Sequence, residues 1–363
     1  MTEPSPLQQI ERTYVRFGKH KLSYFGGCDY FRLASHPKVI AALHAGAERY
    51  GLNVAASRLT TGNHALYYKL ERALAAFFGV ESATLLSGGY LANLVAAQAL
   101  AGNFSHALID ERAHPSLNDA IRFLDCPAIK FRHADVDHVA AVVQRVGPGA
   151  KLILLTDGMF SNDGSAAPLK EYLKILPQDG LLLVDDAHGA GVLGQKGQGT
   201  LEYAGVSRGR VIQTITLSKA FGAYGGAILG REQLRKRILE RSSIFVASTP
   251  LPLPLANASL ESVRLLGSER KLKAKLTRNM TCVNSELTKR GLPPIKGPGP
   301  IVQVLPQHIP DTSKLKAKLL SAKIFPSFIK YPNGPAEGYF RFAISSEHTL
   351  AQLKTLLEVL TSH

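Results

Sequence analysis

Between residues 83 and 230 short apolar runs alternate with longer segments of helical spacing. The runs ATLL from Ala83, HALID from His106, LILL from Leu152, LLLV from Leu181 and VIQTIT from Val211 are each bounded by Gly, Asp, Asn or Pro. The run from Leu181, four apolar residues between turn signals, suits a strand buried on both faces, and the run from Val211 is β-branched. The alternation of the runs with helical segments predicts an α/β fold: a mostly parallel sheet wrapped by helices. The first forty-odd residues read as an arm followed by an amphipathic helix, and a basic amphipathic helix follows Gly230. From about Leu251 a smaller α+β region is expected, with a helix, an edge run over Ile301 to Leu305, a helix over Lys314 to Ala322 and a strand over Tyr339 to Ser345. The chain of 363 residues thus divides into an arm and helix (1–45), a large unit (46–250) and a small C-terminal unit (251–363), as its length suits. No internal repeat or low-complexity segment is visible. The uncharged stretch Ser82 to His106 is long enough to cross a membrane, but Gly88, Gly89, Asn93, Gln98, Gly102 and Asn103 interrupt it. A buried strand, a turn and a helix explain it better.

Two of the strand ends carry chemistry. Asp185 closes the run from Leu181, and Ser218-Lys219-Ala220-Phe221-Gly222 follows the run from Val211. In open α/β sheets ligands sit at the carboxyl ends of the strands, so a carboxylate and an amine would face one crevice. A lysine with a lowered pKa is a nucleophile for a carbonyl, and a buried carboxylate is the usual partner of a protonated pyridine nitrogen. The pair describes a pyridoxal phosphate site. Taken alone, each residue is more often a solvated loop lysine and a turn-forming Asp.

The residues around them are more specific. Asp185-Asp186-Ala187-His188 followed by Gly191-Val192-Leu193-Gly194, and Thr216-Leu217-Ser218-Lys219 followed by Gly222 and Gly225-Gly226, resemble the motifs of the α-oxoamine synthases. These are pyridoxal-phosphate enzymes of the type I aminotransferase fold, among them 8-amino-7-oxononanoate synthase, which the chain most resembles, and glycine C-acetyltransferase. The resemblance runs from about Tyr24 to Thr349. It implies a PLP-dependent transferase fold of type I and an acyltransferase. Such an enzyme condenses a small α-amino acid with an acyl-CoA or acyl carrier protein thioester, with decarboxylation, to an α-amino ketone. Transamination, racemisation or decarboxylation on the same fold is the alternative.

The resemblance also assigns roles. Lys219 holds the cofactor and, once free, is the base; Asp185 keeps the pyridine nitrogen protonated. In ATLLSGGYLANL the Gly turn before a helix resembles the family's phosphate turn, which implicates Gly89 and Tyr90, and backbone N–H groups at a helix start suit an anion. His114, in Asp110-x-x-x-His114-x-Ser116, matches the histidine that stacks on the ring. Ser161 and His188 match the groups that hold the phenolic oxygen, and Thr216 would reach the phosphate. Ser248 or Thr249 would cross a homodimer interface to the partner's phosphate, with active sites shared between subunits. Arg341, in YFRFAISSEHT, matches the second arginine of a pair that clamps the amino-acid carboxylate. The chain departs from the family at Tyr339, where the first arginine is usual, at Asp29 to Leu33, and at Asn53-Val54-Ala55-Ala56, where relatives have a glycine loop. Because Val and Ala disfavour positive φ, that loop is expected to take a different path or leave different room for substrate. His64 is expected at the surface or as a cap.

Charge changes the picture little. The formal net charge is +15, and much of the excess lies in RLLGSERKLKAKLTR from Arg264. Lysines interleave there with leucines at helical spacing and without aromatics, which reads as a solvated helix face and not a nucleic-acid surface. For an acyltransferase the charge could attract coenzyme A phosphates or an acidic acyl carrier. With 45% hydrophobic and 20% charged residues the composition is globular. Cys28, Cys126 and Cys282 show neither a disulfide framework nor metal-ligand spacing, so no metal is expected and a reducing cytoplasm is. The first residues, Met1-Thr-Glu-Pro-Ser-Pro, lack the basic start and apolar core of a signal peptide.

Overall fold

A computed structural model describes residues 6–308, 311–330 and 334–362. Three short strands open it, β1 (Gln8–Glu11), β2 (Tyr14–Phe17) and β3 (His20–Ser23), paired antiparallel. The sequence had suggested only an arm here. Val15 and Leu22, partners across β2 and β3, are the buried apolar positions of these strands, too few to make the alternation that marks a strand. Helices α1 (Pro37–Tyr50) and α2 (Ala65–Phe78) follow. Each starts at a histidine whose ring nitrogen accepts from a first-turn N–H: His36 from Lys38, His64 from Leu66. His64 is thus a cap, as expected.

The chain then alternates: β4 (Ser82–Leu86), α3 (Gly89–Leu100), β5 (His106–Asp110), α4 (Pro115–Ala120), β6 (Ala128–Phe131), α5 (Val136–Val146), β7 (Leu152–Asp157), α6 (Leu169–Ile175), β8 (Leu181–Asp185), α7 (Thr200–Tyr203), β9 (Val211–Thr216) and β10 (Gly226–Gly230). The seven strands form one sheet in the order β4-β10-β9-β8-β7-β5-β6, parallel except for β10. Alternate residues feed opposite faces. Ile153, Leu155 and Leu183 pack with α3 residues such as Val95 and Ala96, whereas Leu152, Leu154, Leu182 and Val184 pack with Val139 of α5 and Tyr172 of α6. Both faces being covered explains why these strands are apolar without interruption.

After β10 come α8 (Glu232–Arg241), α9 (Ser243–Ala247), α10 (Leu253–Ser268) and α11 (Arg270–Lys289). The basic stretch read as one helix breaks at Glu269; α11 buries Leu272 and Leu276 and leaves Lys271 and Lys275 in solvent, the solvated face expected. A second sheet, β11 (Ile301–Val304), β13 (Tyr339–Ala343) and β12 (Phe328–Ile329), is antiparallel, with α12 (Thr312–Ser321) and α13 (Leu350–Thr361) completing the chain. Val302, Phe340 and Phe342 of that sheet pack on Leu315, Leu319, Leu353 and Leu356. Thr349 and Gln352 close a reciprocal capping box at the start of α13. Among the described residues no helix is long and apolar enough to cross a membrane, and no group of His, Cys, Asp and Glu could hold a metal ion.

Candidate active site

In the sheet, β5 and β6 run outward to one side of β7 while β8 and β9 lie to the other. The chain thus reverses direction between β5 and β7, and side chains beyond the carboxyl ends of β5, β7, β8 and β9 meet there, as expected at such a switch point. Asp185 ends β8 and is 7% exposed. Its Oδ2 accepts from Asn93 Nδ2 at 2.6 Å and from Ser116 Oγ at 3.4 Å, and its Oδ1 accepts from the Ala187 N–H at 3.1 Å. Asn93 is itself fixed, its Oδ1 accepting from Thr214 Oγ1 at 2.6 Å. Among the described residues Asp185 forms no ion pair. A buried carboxylate held only by neutral donors is costly unless a cation joins it, and a protonated pyridine nitrogen is such a cation.

Lys219 follows β9. Burial lowers the pKa of its amine, while Cys28, Asp185 and Asp157 pull the other way. The amine is therefore poised toward its neutral, nucleophilic form. His114 caps α4, with Nδ1 2.6 Å from Ser116 Oγ and its backbone N–H on Asp157 Oδ2 at 2.8 Å. Burial holds its pKa below the ordinary histidine value, against the pull of Asp185. His188, 5% exposed, has Nδ1 2.8 Å from the Tyr30 hydroxyl. Burial, then Lys219, Arg341 and His114, push its pKa well down, so the ring is neutral.

The phosphate end is built from backbone. Gly88 precedes α3, a twelve-residue helix, without a side-chain cap, and the start of such a helix suits an anion. A Cβ at Gly89 would meet Thr216 Cβ at 2.7 Å, so glycine is what lets the helix start close on β9. Thr216 Oγ1 lies 2.8 Å from Ser218 Oγ. The helix start at Gly89, the carboxylate without an ion pair and the buried amine fit the three ends of pyridoxal phosphate: phosphate, ring nitrogen and aldehyde.

Arg341 comes from β13 of the smaller sheet and reaches the same crevice. Its Nε donates to the Ser161 carbonyl at 2.6 Å, and its Nη2 lies 3.4 Å from Cys28 Sγ. Tyr339, at the position where the first arginine of the pair was looked for, donates to Asn162 Oδ1 at 2.8 Å. The structure thus gathers Asp185, Lys219, His114, His188, Arg341, Ser161, Thr216, Gly89 and Tyr90 at one edge. Ser248 and Thr249 stand apart: Ser248 Oγ bonds back to the Ile244 carbonyl, and Thr249 is exposed after α9. A cavity of about 450 Å³ between Glu81, Arg208, Arg231 and Arg237 opens at the opposite edge of the sheet, away from all of this chemistry.

Four residues of the crevice had not been singled out as site residues: Asn93, Asp157, Tyr30 and Cys28. Asp157 ends β7 beside Asp185, and burial with that neighbouring carboxylate drives its pKa well up. The loop over residues 53–56 carries a positive φ without a glycine. Ala55 takes a left-handed conformation, φ 50°, with its N–H on Asn53 Oδ1 at 2.7 Å. The backbone adopts a shape that glycine would favour, at a cost of about 1–2 kcal/mol for a side chain with a Cβ.

Comparison with known proteins agrees with this geometry. The family described as aminotransferase class I and II matches residues 25–360. The 8-amino-7-oxononanoate synthase of Thioalkalivibrio sulfidiphilus is 37% identical over 335 residues, 92% of this chain and 86% of that protein. The synthase of the same name from Nitrosococcus oceani is 34% identical over 357 residues, 98% of this chain and 94% of that protein. A solved 8-amino-7-oxononanoate synthase from Francisella tularensis superposes with a TM-score of 0.79 at 26% identity, covering 94% of this chain and 97% of that one. Serine palmitoyltransferase from S. paucimobilis, solved with bound PLP, superposes with a TM-score of 0.91 over 99% of this chain and 92% of that one; at 24% identity the likeness is one of fold. Fold and site together define a pyridoxal-phosphate-dependent transferase of the type I fold. Within that class the chain belongs to the α-oxoamine synthases, beside the 8-amino-7-oxononanoate synthases, and is an acyltransferase.

Proposed function

We propose that the chain joins L-alanine to a seven-carbon ω-carboxyacyl thioester, on coenzyme A or an acyl carrier protein, with loss of carbon dioxide. The carbon count supports this: three carbons of alanine less one, plus seven, give the nine of an 8-amino-7-oxononanoate, the product named for the relatives. The observation that carries the reading is the meeting of Asp185, Lys219 and Arg341 at one strand-end crevice.

When bound, pyridoxal phosphate supplies an electron sink for the pair left at Cα as the proton, and later carbon dioxide, departs. The residues divide the remaining work. Lys219 would hold the cofactor through its amine and then take the Cα proton, for which an amine kept neutral by burial is suited. Asp185 would hold the ring nitrogen in its protonated form, with Asn93 and Ser116 keeping the carboxylate aimed. His114 would lie over the ring, and His188 and Ser161 would hold the phenolic oxygen. Gly89 and Tyr90, through backbone N–H groups, and Thr216 would hold the phosphate, joined in a homodimer by Ser248 or Thr249 of the partner subunit. Arg341 would bind the substrate carboxylate; its Nε is already spent on Ser161, which leaves the guanidinium's outer nitrogens for the substrate. Three unpaired cysteines suit the reducing cytoplasm in which we place the enzyme.

The test is to incubate the purified protein with pimeloyl-coenzyme A and, separately, glycine, L-alanine and L-serine. Free coenzyme A thiol and carbon dioxide released together, and fastest with L-alanine, are expected. Formation of a 2-oxo acid without thiol release would overturn the synthase reading in favour of transamination.

A further inference from the structure

Tyr30 is fully buried, packed in the apolar cluster that also holds Phe31, Leu33, Leu217 and Phe221. A phenol in such surroundings must place its hydroxyl on a polar partner. This one lies 2.8 Å from Nδ1 of His188, with Cys28 and Arg341 as the other polar groups beside it. The backbone around it is pinned as well: the Tyr30 carbonyl accepts from the Ser346 N–H at 2.9 Å, and its N–H donates to the Cys28 carbonyl at 2.9 Å. The ring therefore has little freedom to move away from His188.

His188 is neutral in this setting, so one ring nitrogen carries hydrogen and the other accepts. The partner of one nitrogen fixes the state of the other. Lys219, Arg341 and His114 are the cationic or titratable groups that face the imidazole, and Cys28 lies beyond Tyr30.

We propose that Tyr30 is a positioning residue for the reaction: its hydroxyl donates to Nδ1 of His188 and so keeps the ring hydrogen on Nε2, where it can be donated to the cofactor's phenolic oxygen. The proposal rests on the placement of His188 beside that oxygen given above. It makes Tyr30 a determinant of how easily the bound chromophore loses its proton, without Tyr30 touching the cofactor.

The test uses holoenzyme labelled with ¹⁵N-histidine, as wild type, Tyr30→Phe and His188→Gln. His188 is assigned among the twelve histidines by its absence from the His188→Gln spectrum. Wild type should show the paired nitrogen shifts of a fixed Nε2–H tautomer, and Tyr30→Phe should move both toward averaged values. In parallel, the pH midpoint of the cofactor's absorbance change should rise by about half a unit in Tyr30→Phe, as expected when a hydrogen bond to an ionised oxygen weakens. That rise should vanish in the double variant. A hydrogen on Nδ1 in wild type, or an unchanged nitrogen pattern in Tyr30→Phe, overturns the proposal. If Tyr30→Phe fails to fold, the wild-type nitrogen pattern decides alone. A midpoint unmoved by His188→Gln instead overturns the placement of His188 at the cofactor, while the nitrogen result still reports on Tyr30.

Discussion

Asp185 and Asp186 are neighbours at the end of one strand, both buried, and they serve opposite sides of the molecule. Asp185 looks into the crevice, where Asn93, Ser116 and one backbone N–H hold it and room is left for a cation. Asp186 looks the other way and is closed off. It accepts from the Thr200 N–H at 2.8 Å, Thr200 Oγ1 at 2.6 Å and Gln213 Nε2 at 2.6 Å. Glycines 158, 189 and 199 crowd it so closely that a Cβ at any of them would run into its carboxylate. The contrast shows that burial and a perturbed pKa do not by themselves mark a catalytic group. Each carboxylate accepts three hydrogen bonds; what separates them is that glycines 158, 189 and 199 close in on Asp186, whereas Asp185 stands at the crevice with one of its donors, Ser116, as far off as 3.4 Å.

Substitutions can break this contrast from either side. The largest effect is expected on the crevice side from Lys219→Ala: turnover should fall at least about a thousandfold, and the cofactor's bound absorbance band should be lost. A retained band would refute the lysine's role. Asp185→Asn should follow, lowering kcat by roughly a hundredfold or more while the thermal midpoint changes little, because the amide can still occupy the Asn93 and Ser116 contacts. On the closed side, Asp186→Ala should do the reverse. Stripping the partners of Thr200 and Gln213 should cost about 2–4 kcal/mol of stability by denaturant titration, and kcat of the folded enzyme should stay near wild type.

The pH dependence sharpens the same comparison. Burial raises the pKa of Asp186 from 3.8 to about 6 in the folded protein. Its contribution is thus fully present below pH 3.8 and is lost as pH rises through about 6. The stability gap between wild type and Asp186→Ala should accordingly be larger at pH 4 than at pH 7, by about 2 kcal/mol. A gap that grows toward neutral pH would mean the carboxylate is stabilised, not penalised, by its donors. The smallest effect is expected in the loop over residues 53–56: Ala55→Gly relieves a left-handed alanine and adds chain entropy to the unfolded state, for a net gain of about 0.5 kcal/mol.

How much of this could be read from the chain follows the same division. Strands β7 and β8 were legible because burial on both faces leaves them almost wholly apolar, β9 because it is rich in β-branched residues, and Asp185 and Lys219 because they stand where such strands stop. Asn93 was visible only as part of a turn. Its hold on Asp185 joins residues 92 positions apart, a pairing that no local pattern encodes. Tyr30 and Cys28 were hidden in the same way, since their contacts to His188 and Arg341 span 158 and 313 positions. At Ala55 the local rule pointed the wrong way: a disfavoured backbone angle is a cost of limited size, and the surrounding loop outweighs it. The opening strands escaped notice because so little of them is buried.

Arg341 stands on a strand of the smaller sheet yet is anchored on the carbonyl of Ser161, in the loop that follows β7. In the order of synthesis the cofactor edge, from Gly89 to Lys219, leaves the ribosome long before this arginine does. On the roles proposed above, a nascent chain therefore acquires most of the groups that would hold the cofactor first and the group that would grip an amino acid last. Choosing a substrate would then be the final competence the growing polypeptide gains, tied to the strand that also completes the core of the smaller sheet.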